Sequence, residues 1–438
     1  MMNESKPIFS NADLKKGIWI YFILLIFEGA LRKWFLPGLA TPLLVIRDPL
    51  ALWILVIANG RGLLLSNIYL SSAFTIGAVG IFTAVIFGHG SLPVAIFGAR
   101  ILMLHLPLIF VIGTVFDQED VLEMGKVTLF ISIPIGVLIA LQFYSPQSAW
   151  VNRGLGGDVE GSGFSGAMGY MRPAGTFSFS TGNTYLYSLI SVFVFYYWLN
   201  MKNINKIVLI AATAMMLLVI PLSISRSLLF SILVTFVFVL AGSLRSSENL
   251  VRMVLAAIGI VLIVVIANQF PFFQTGVEVF SARFNGANES EGGLEGVLVD
   301  RYLGGLVNAL NFKSGIPFFG YGQGSISNVG SMLLSGRTFG GMAEGEWGRT
   351  IAELGPILGL LLVFLRISFS IKVALAGFSR LKRGDLLPWL LLSSCLLIFP
   401  QGNWAQPTSL GFSTLVTGLL IASLRERAKE PEPEIETN

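Results

Sequence analysis

Apolar runs of about 16–24 residues, parted by short polar breaks, recur along almost the whole chain. Each is the size a helix needs to cross a hydrocarbon core of about 30 Å. The runs lie near 17–34, 48–60, 68–87, 92–114, 125–144, 182–200, 207–223, 226–242, 253–269, 350–372, 386–400 and 408–424. They predict an all-α polytopic membrane protein of about twelve transmembrane helices, with residues 1–438 forming one membrane domain. The second run is short and opens at Arg47-Asp48-Pro49, so its start is expected to be broken or re-entrant. Irregular backbone at that depth is tolerated only where protein buries it or it lines a wet cavity. Two polar stretches interrupt the pattern. Residues 145–181 are glycine-rich, and residues 270–349 form the longest polar stretch, between the ninth and tenth runs. Loops of such length are usually functional or disordered. Leu303, Leu306, Leu310, Phe318 and Phe319 in the second predict short helices that cap the membrane surface. The Pro/Glu-rich segment 425–438 reads as a disordered tail.

Composition strengthens this picture. Of 438 residues 54% are hydrophobic and 12% charged, and the mean hydropathy is +0.76. A soluble chain carries roughly twice that charge. A soluble enzyme, a secreted disulfide scaffold and a nucleic-acid binder are excluded. The lone Cys395 lies in an apolar run and has no partner for an intrachain disulfide. There is no Walker lysine loop, no Cys/His metal set and no His-Glu-x-x-His, so neither a metal nor a cofactor is expected.

The net charge of +4 gains meaning only when its members are placed. Cytoplasmic loops should be rich in Lys and Arg. Putting the N-terminus inside gathers Lys15, Lys16, Lys126, Lys202, Lys206, Lys372, Arg380, Lys382 and Arg383 on the cytoplasmic side, with both termini. Lysine follows that topology except at Lys33 and Lys313, whereas arginine does not. Arg32, Arg47, Arg153, Arg172, Arg226, Arg283, Arg301, Arg337 and Arg349 all map to the external side or to external helix ends. A guanidinium is planar, permanently charged and grips phosphate through two parallel hydrogen bonds. External arginines in a lipid-facing protein therefore point to an anionic lipid-linked ligand such as a diphosphate. The plainer alternative is pairing with Glu278, Glu289, Glu291, Glu295 and Asp300, or with lipid headgroups.

The long loop between the ninth and tenth spans, the Arg-x-x-Gly-Thr-Phe stretch at 172–177 and the Ser-Arg-Ser start at 225–227 resemble the Wzy/WaaL superfamily of O-antigen polymerases and ligases. Glu28-Gly29-Ala30-Leu31-Arg32-Lys33-Trp34, followed by Arg47-Asp48-Pro49, is similar to a subgroup of exopolysaccharide polymerases. The resemblance implies a GT-C-like membrane fold in the bacterial inner membrane. It also implies glycosyl transfer between undecaprenyl-diphosphate-linked oligosaccharides, as donor and acceptor, on the external face. A chain-length regulator is an implied partner; metals and nucleotide sugars are not. The arginines that hold the diphosphate carry over to Arg226 and Arg301, with Arg172 a third candidate. Arg283 in the large loop and Arg349 beside two carboxylates are further diphosphate candidates by position alone, with a solvated surface role the alternative for Arg301 and Arg283. The ligase branch carries a His-Asn shortly before its Glu-x-Gly segment. That segment is Ala352-Glu353-Leu354-Gly355 here, and Glu344 stands where the histidine would.

Departure of a diphosphate needs no protonation, so one base and several cationic donors suffice. Glu344-Gly345-Glu346-Trp347-Gly348-Arg349 supplies both, with Glu344 the expected base and Glu346 the next choice. Both carboxylates could instead cap the tenth span, where the helix dipole favours them. Arg226 could snorkel to the headgroups. Arg100, His105 and Arg366 fall inside spans and could pair with Glu28 or Asp48. Trp34, Trp150, Trp347 and Trp404 are expected in an interfacial aromatic belt. Asp117-Gln118-Glu119-Asp120 is expected to cap the fifth span. Two other activities stay open: a ligase that moves a finished polymer to another acceptor, and a lipid-linked sugar transporter or flippase. The absence of an internal repeat and the long external loop weigh against transport.

Overall fold

A computed structural model describes residues 11–161, 164–201, 203–244, 247–291, 316–334 and 345–425. Helices dominate them. They are α1 (Ala12–Ala30), α2 (Arg47–Gly60), α3 (Ile68–Ile86), α4 (Leu92–Arg100), α5 (Leu106–Val115), α6 (Gln118–Tyr144), α7 (Thr181–Leu199) and α8 (Lys206–Leu222). Then come α9 (Arg226–Ser243), α10 (Ser247–Ala267), α11 (Pro271–Glu291), α12 (Asn328–Leu333), α13 (Gly345–Lys382), α14 (Leu386–Ile398) and α15 (Pro407–Ser423). In keeping with the all-α expectation, the strands among the described residues are one small antiparallel hairpin within 145–181, β1 (Ser165–Ala167) and β2 (Tyr170–Met171).

Among the described residues, 7 helices are long and apolar enough to cross a membrane, and α8, α14 and α15 are shorter apolar helices. Neither α1 nor α7 belongs to those sets. For α1 the reason is charge, from Asp13, Lys15 and Lys16 to Glu28. For α7 it is the polar residues Asn183, Thr184, Ser188 and Ser191, all buried. The hydroxyls of α7 stitch it to its neighbours. Thr184 Oγ1 lies 3.0 Å from Ser225 Oγ, Ser188 Oγ 3.0 Å from Ser394 Oγ, and the Tyr187 hydroxyl donates to Ser132 O at 2.7 Å. Hydroxyl pairs of this kind hold membrane helices together where apolar packing alone has no solvent to escape.

Several boundaries differ from the sequence reading. The tenth span, read as 350–372, runs over Gly345–Lys382 and is broken at Gly355, whose φ of 80° no helix contains. The second begins as a 3-10 turn, Pro42–Val45, before α2. The fourth is interrupted by a π turn, Ile101–His105, between α4 and α5, and α1 ends in another, Leu31–Phe35. π turns inside helices gather at functional sites; these two carry Arg32, Lys33 and His105. The 270–349 stretch opens with the 21-residue α11 and also holds the short α12, while Phe318 and Phe319 lie in a turn. Leu303, Leu306, Leu310 and the tail 426–438 lie outside the described residues.

The lysine-bearing end is latched by polar contacts. Lys15 reaches Asp120 at 2.6 Å and Asp117 at 3.4 Å, and Arg61 pairs with Asp13 at 2.5 Å. Asp117 and Asp120 form a capping box on α6, so the acidic run caps that helix as its spacing suggests. Arg380 donates to Leu424 O, tying α13 to the end of α15.

Candidate functional site

At the opposite end of the bundle, two charged networks flank one cavity. The first grows from α1. Glu28 and Arg32 share a helix face at i,i+4 spacing, and Arg32 Nη1 lies 3.3 Å from Glu28 Oε1. Arg47, at the start of α2, reaches Glu28 Oε2 at 3.2 Å and Pro407 O at 2.6 Å. Arg32 also donates to Ser178 Oγ at 2.9 Å and to Ala40 O at 2.6 Å. One residue on, Asp48 binds Arg100 at 3.0 Å and His105 Nε2 at 2.9 Å, while His105 Nδ1 lies 3.1 Å from the Tyr21 hydroxyl. Arg100 and His105 thus pair with Asp48, a partner their intramembrane position suggested. Lys33 is buried, donates to Gly175 O at 2.6 Å and lies over the Trp34 ring. Arg32, Arg47 and Arg100 outnumber Glu28 and Asp48, so this network, among the described residues, carries surplus positive charge.

The second network belongs to α13. Arg349 donates from Nε and Nη2 to the two oxygens of Glu346, both at 2.8 Å, and from Nη1 to Glu353 at 2.5 Å. Arg366 adds a 2.8 Å bond to Glu346 Oε1 and binds Phe399 O at 2.8 Å and Gly402 O at 3.0 Å. All four side chains are buried. Two carboxylates and two guanidiniums leave the set neutral. Arg366 therefore pairs with Glu346 and not with Glu28 or Asp48. Trp347 and Trp404 are also buried, not interfacial: Trp347 Nε1 donates to Pro400 O at 2.7 Å, and Arg366 stacks on Trp404 at 3.7 Å.

Segment 316–334 docks on the second network's helix and on α4. Tyr321 and Gly322 donate backbone N–H groups to Ala352 O and Glu353 O at 2.8 and 3.0 Å, and Ile326 N–H donates to Glu353 Oε1 at 2.9 Å. Phe319 stacks on Phe87 with ring centroids 4.4 Å apart. Gly320 and Gly355 face each other with positive φ, and a Cβ on either would meet the other strand's backbone within 2.5 Å. The chain there can be built only from glycine.

Beneath this segment lies a cavity of about 280 Å³. Glu28, Arg32 and Ser178 line one side, Ser327 and Met332 the roof, and Asn403, Gln406 and Thr408 another wall, with Phe97 and Phe179 adding aromatic surface. Ile326 and Pro407 also line it, and each is bonded to one of the two networks. The Arg-Pro-Ala-Gly-Thr-Phe segment supports the floor. Gly175 N–H donates to Gln142 Oε1 at 2.7 Å, Thr176 Oγ1 donates to Ile26 O at 2.7 Å, and Gly29 lies against the backbone of Thr176, Phe177 and Ser178.

The remaining arginines occupy three elements that pack together beside this site. Arg172 follows β2 and its N–H donates to Phe164 O at 2.8 Å. Gly166 of β1 lies against Ile224, a buried isoleucine with φ 49° that turns the chain into α9 and its first residue, Arg226. A β-branched residue in that conformation is strained by about 1–3 kcal/mol. The strain sets the direction in which α9 starts, and Ser225 caps it by accepting from Leu228 N–H. α11 packs on both α8 and β1. Gly276 lies against Leu222, Val279 is buried, and Arg283, half-buried, follows on the same face one turn later.

Of the sequence-derived candidates, the structure gathers Arg172, Arg226 and Arg283 on contiguous elements and places Glu346 and Arg349 inside the neutral network. Glu344 and Arg301 lie outside the described residues. Ser178, Asn403 and Gln406 were not singled out from sequence, and Glu353 only as part of the Glu-x-Gly segment. For Glu353 a signal existed, since Arg349 and Glu353 stand at i,i+4; for the cavity wall, joined across some 230 residues, none did. No group of metal-binding side chains occurs among the described residues. No protein-family model, curated protein or solved structure matches the chain.

Proposed function

We propose that this protein is a polysaccharide polymerase of the Wzy type, joining undecaprenyl-diphosphate-linked repeat units at the external face of the bacterial inner membrane. Counting α1 and α7 with the apolar helices gives about twelve spans, and we assign the bundle to a GT-C-like arrangement with both termini cytoplasmic. The observation that carries the reading is the packing of the three arginine-bearing elements, at Arg172, Arg226 and Arg283, around one end of an apolar bundle. A diphosphate on a membrane lipid is the ligand for which permanent, forked cations at the membrane surface are suited.

In this reading an acceptor hydroxyl attacks the anomeric carbon of the donor sugar. The bond from that carbon to the diphosphate breaks, the diphosphate leaves with the electron pair, and the hydroxyl proton passes to a carboxylate base. Arg172, Arg226, Arg283 and Arg301 stabilise the charge developing on the leaving group. Glu344 takes the proton. Glu346 and Arg349 are reassigned as positioning residues, because each already spends its charge on the other. The hydroxyl-, amide- and aromatic-lined cavity beside Glu28 and Arg32 suits a sugar. A chain-length regulator completes the expected set of partners.

The test is purified protein supplied with a synthetic undecaprenyl-diphosphate oligosaccharide, with product length as the readout. A ladder of products is the expected result. A single addition to a foreign acceptor would make the protein a ligase, and unaltered substrate moved across a vesicle membrane would make it a flippase.

A further inference from the structure

Helix α10 is unlike every other long helix here: none of its apolar stretch Leu250–Ala267 is buried. It stands off from α8, and the gap holds two apolar cavities of about 340 and 280 Å³. Ile263 lines both, so they join into one groove. Its walls are Ile210, Met215 and Leu218 from α8, and Leu255 and Gly259 from α10. At one end is Arg252, which donates to Leu199 O at 2.5 Å. At the other are Phe270, Phe272 and Phe273, immediately before α11.

We infer that this groove holds the polyisoprenyl chain of a lipid-linked substrate, with its phosphate at the phenylalanine end. Two observations select that occupant over an ordinary membrane lipid. The first is length. On α10 the groove is lined from Arg252 to Ala267, about 22 Å at 1.5 Å per residue, well over half of a hydrocarbon core of about 30 Å. An acyl chain of one leaflet reaches only half that depth, whereas a long polyisoprenyl chain fills it. The second is continuity. The groove opens where α11 carries Gly276 onto Leu222 and Arg283 along the same face, beside the hairpin that precedes Arg172 and the start of α9 at Arg226. A chain threaded here delivers its anionic head to those arginines. The inference rests on the lipid-diphosphate reading above, and extends it from the head of the substrate to its tail.

The test uses full-length protein in nanodiscs, with a photo-crosslinking amino acid at Met215 or at Ile210, one in each half of the groove. The probe is radiolabelled undecaprenyl phosphate at a small mole fraction in phosphatidylglycerol. Both positions should capture the probe, unlabelled undecaprenyl phosphate should compete, and added phosphatidylglycerol should not. Gly259, beside which a Cβ would meet nothing within 4 Å, can take a larger side chain. Gly259→Phe should therefore leave the protein folded while cutting capture at Ile210 at least about tenfold. Capture in simple proportion to mole fraction, or at Met215 alone, would overturn the inference. Capture without sugar transfer would keep the groove and remove the polymerase reading. Transfer without capture would do the reverse.

Discussion

Glu346 distinguishes two roles that the sequence alone leaves equal. As a base, it would need a free oxygen; in the structure Arg349 takes both oxygens and Arg366 shares one of them. Glu346→Gln removes one negative charge from a buried set of two carboxylates and two guanidiniums, leaving it at +1 with Arg366 uncompensated. Breaking one side of a buried ion pair costs about 3–5 kcal/mol. That is a large share of the roughly 5–15 kcal/mol by which most folded domains are stable. The variant should therefore lose stability, read as a lower midpoint for survival of the monodisperse peak after heating in detergent. Arg366→Met should also destabilise, leaving the set at −1 and the carbonyls of Phe399 and Gly402 without a donor. The double variant restores neutrality, with Arg349 still paired to Glu353. It should lose less than the two single losses combined, by about 1 kcal/mol or more. A Glu346→Gln protein that melts like wild type yet transfers no sugar would refute the positioning role and restore Glu346 as a candidate base.

Arg226→Ala and Arg301→Ala should each abolish polymer while leaving the folded protein in the membrane, with lysine rescuing only partly because it lacks the fork; normal polymer from either removes that residue from the site. Glu344→Gln should bind donor but lose about 100-fold or more in transfer, and near-normal turnover would dismiss it as the base. Gly29→Ala should fail to fold or melt far lower, because its Cβ would lie 2.3 Å from Phe177 backbone carbon; a wild-type midpoint would show that α1 does not touch the 176–178 backbone. Hydrogen bonds from Arg61 hold the Asp13 carboxyl below its usual value of 3.8. A depressed carboxylate stabilises the fold above its unfolded value and loses that contribution as pH falls through the lower folded one. Asp13→Asn should thus cost stability at neutral pH and converge on wild type in acid; a constant offset would contradict the pairing.

The helical membrane class was legible because each span needs its own apolar run and the bilayer enforces a minimum length. Span edges were less so. The cap Asp117-Gln118-Glu119-Asp120 was legible, yet the polar first turns of α6 lie outside the apolar run read from 125, because hydropathy marks the lipid-facing stretch and not where the helix begins. The pairings of Glu28 with Arg32 and of Arg349 with Glu353 follow from helix periodicity. What joins Glu28 to Arg47, or Glu353 to Ile326, does not, since it depends on how separate helices and one docked loop segment are assembled. Trp347 and Trp404 misled for a related reason: position along a span suggests an interface, while burial depends on the neighbour that covers it. The α8–α10 groove has no sequence signature at all, because an apolar helix reads the same whether it packs on protein or on lipid.

The hydroxyl seam of α7 bears on how the chain is made. A segment with Asn183, Thr184, Ser188 and Ser191 gains little by entering lipid alone, and its partner Ser394 lies 206 residues further along the chain. As the ribosome delivers α7, the helix that will satisfy Ser188 has not been synthesised. Yet α7 also packs on α6, α8 and α9, its neighbours in the chain, and Tyr187 bonds to Ser132 of α6, so most of its contacts can form before α14 is made. The Ser188–Ser394 pair closes last, and a chain ending before α14 should insert α7 but leave that seam open.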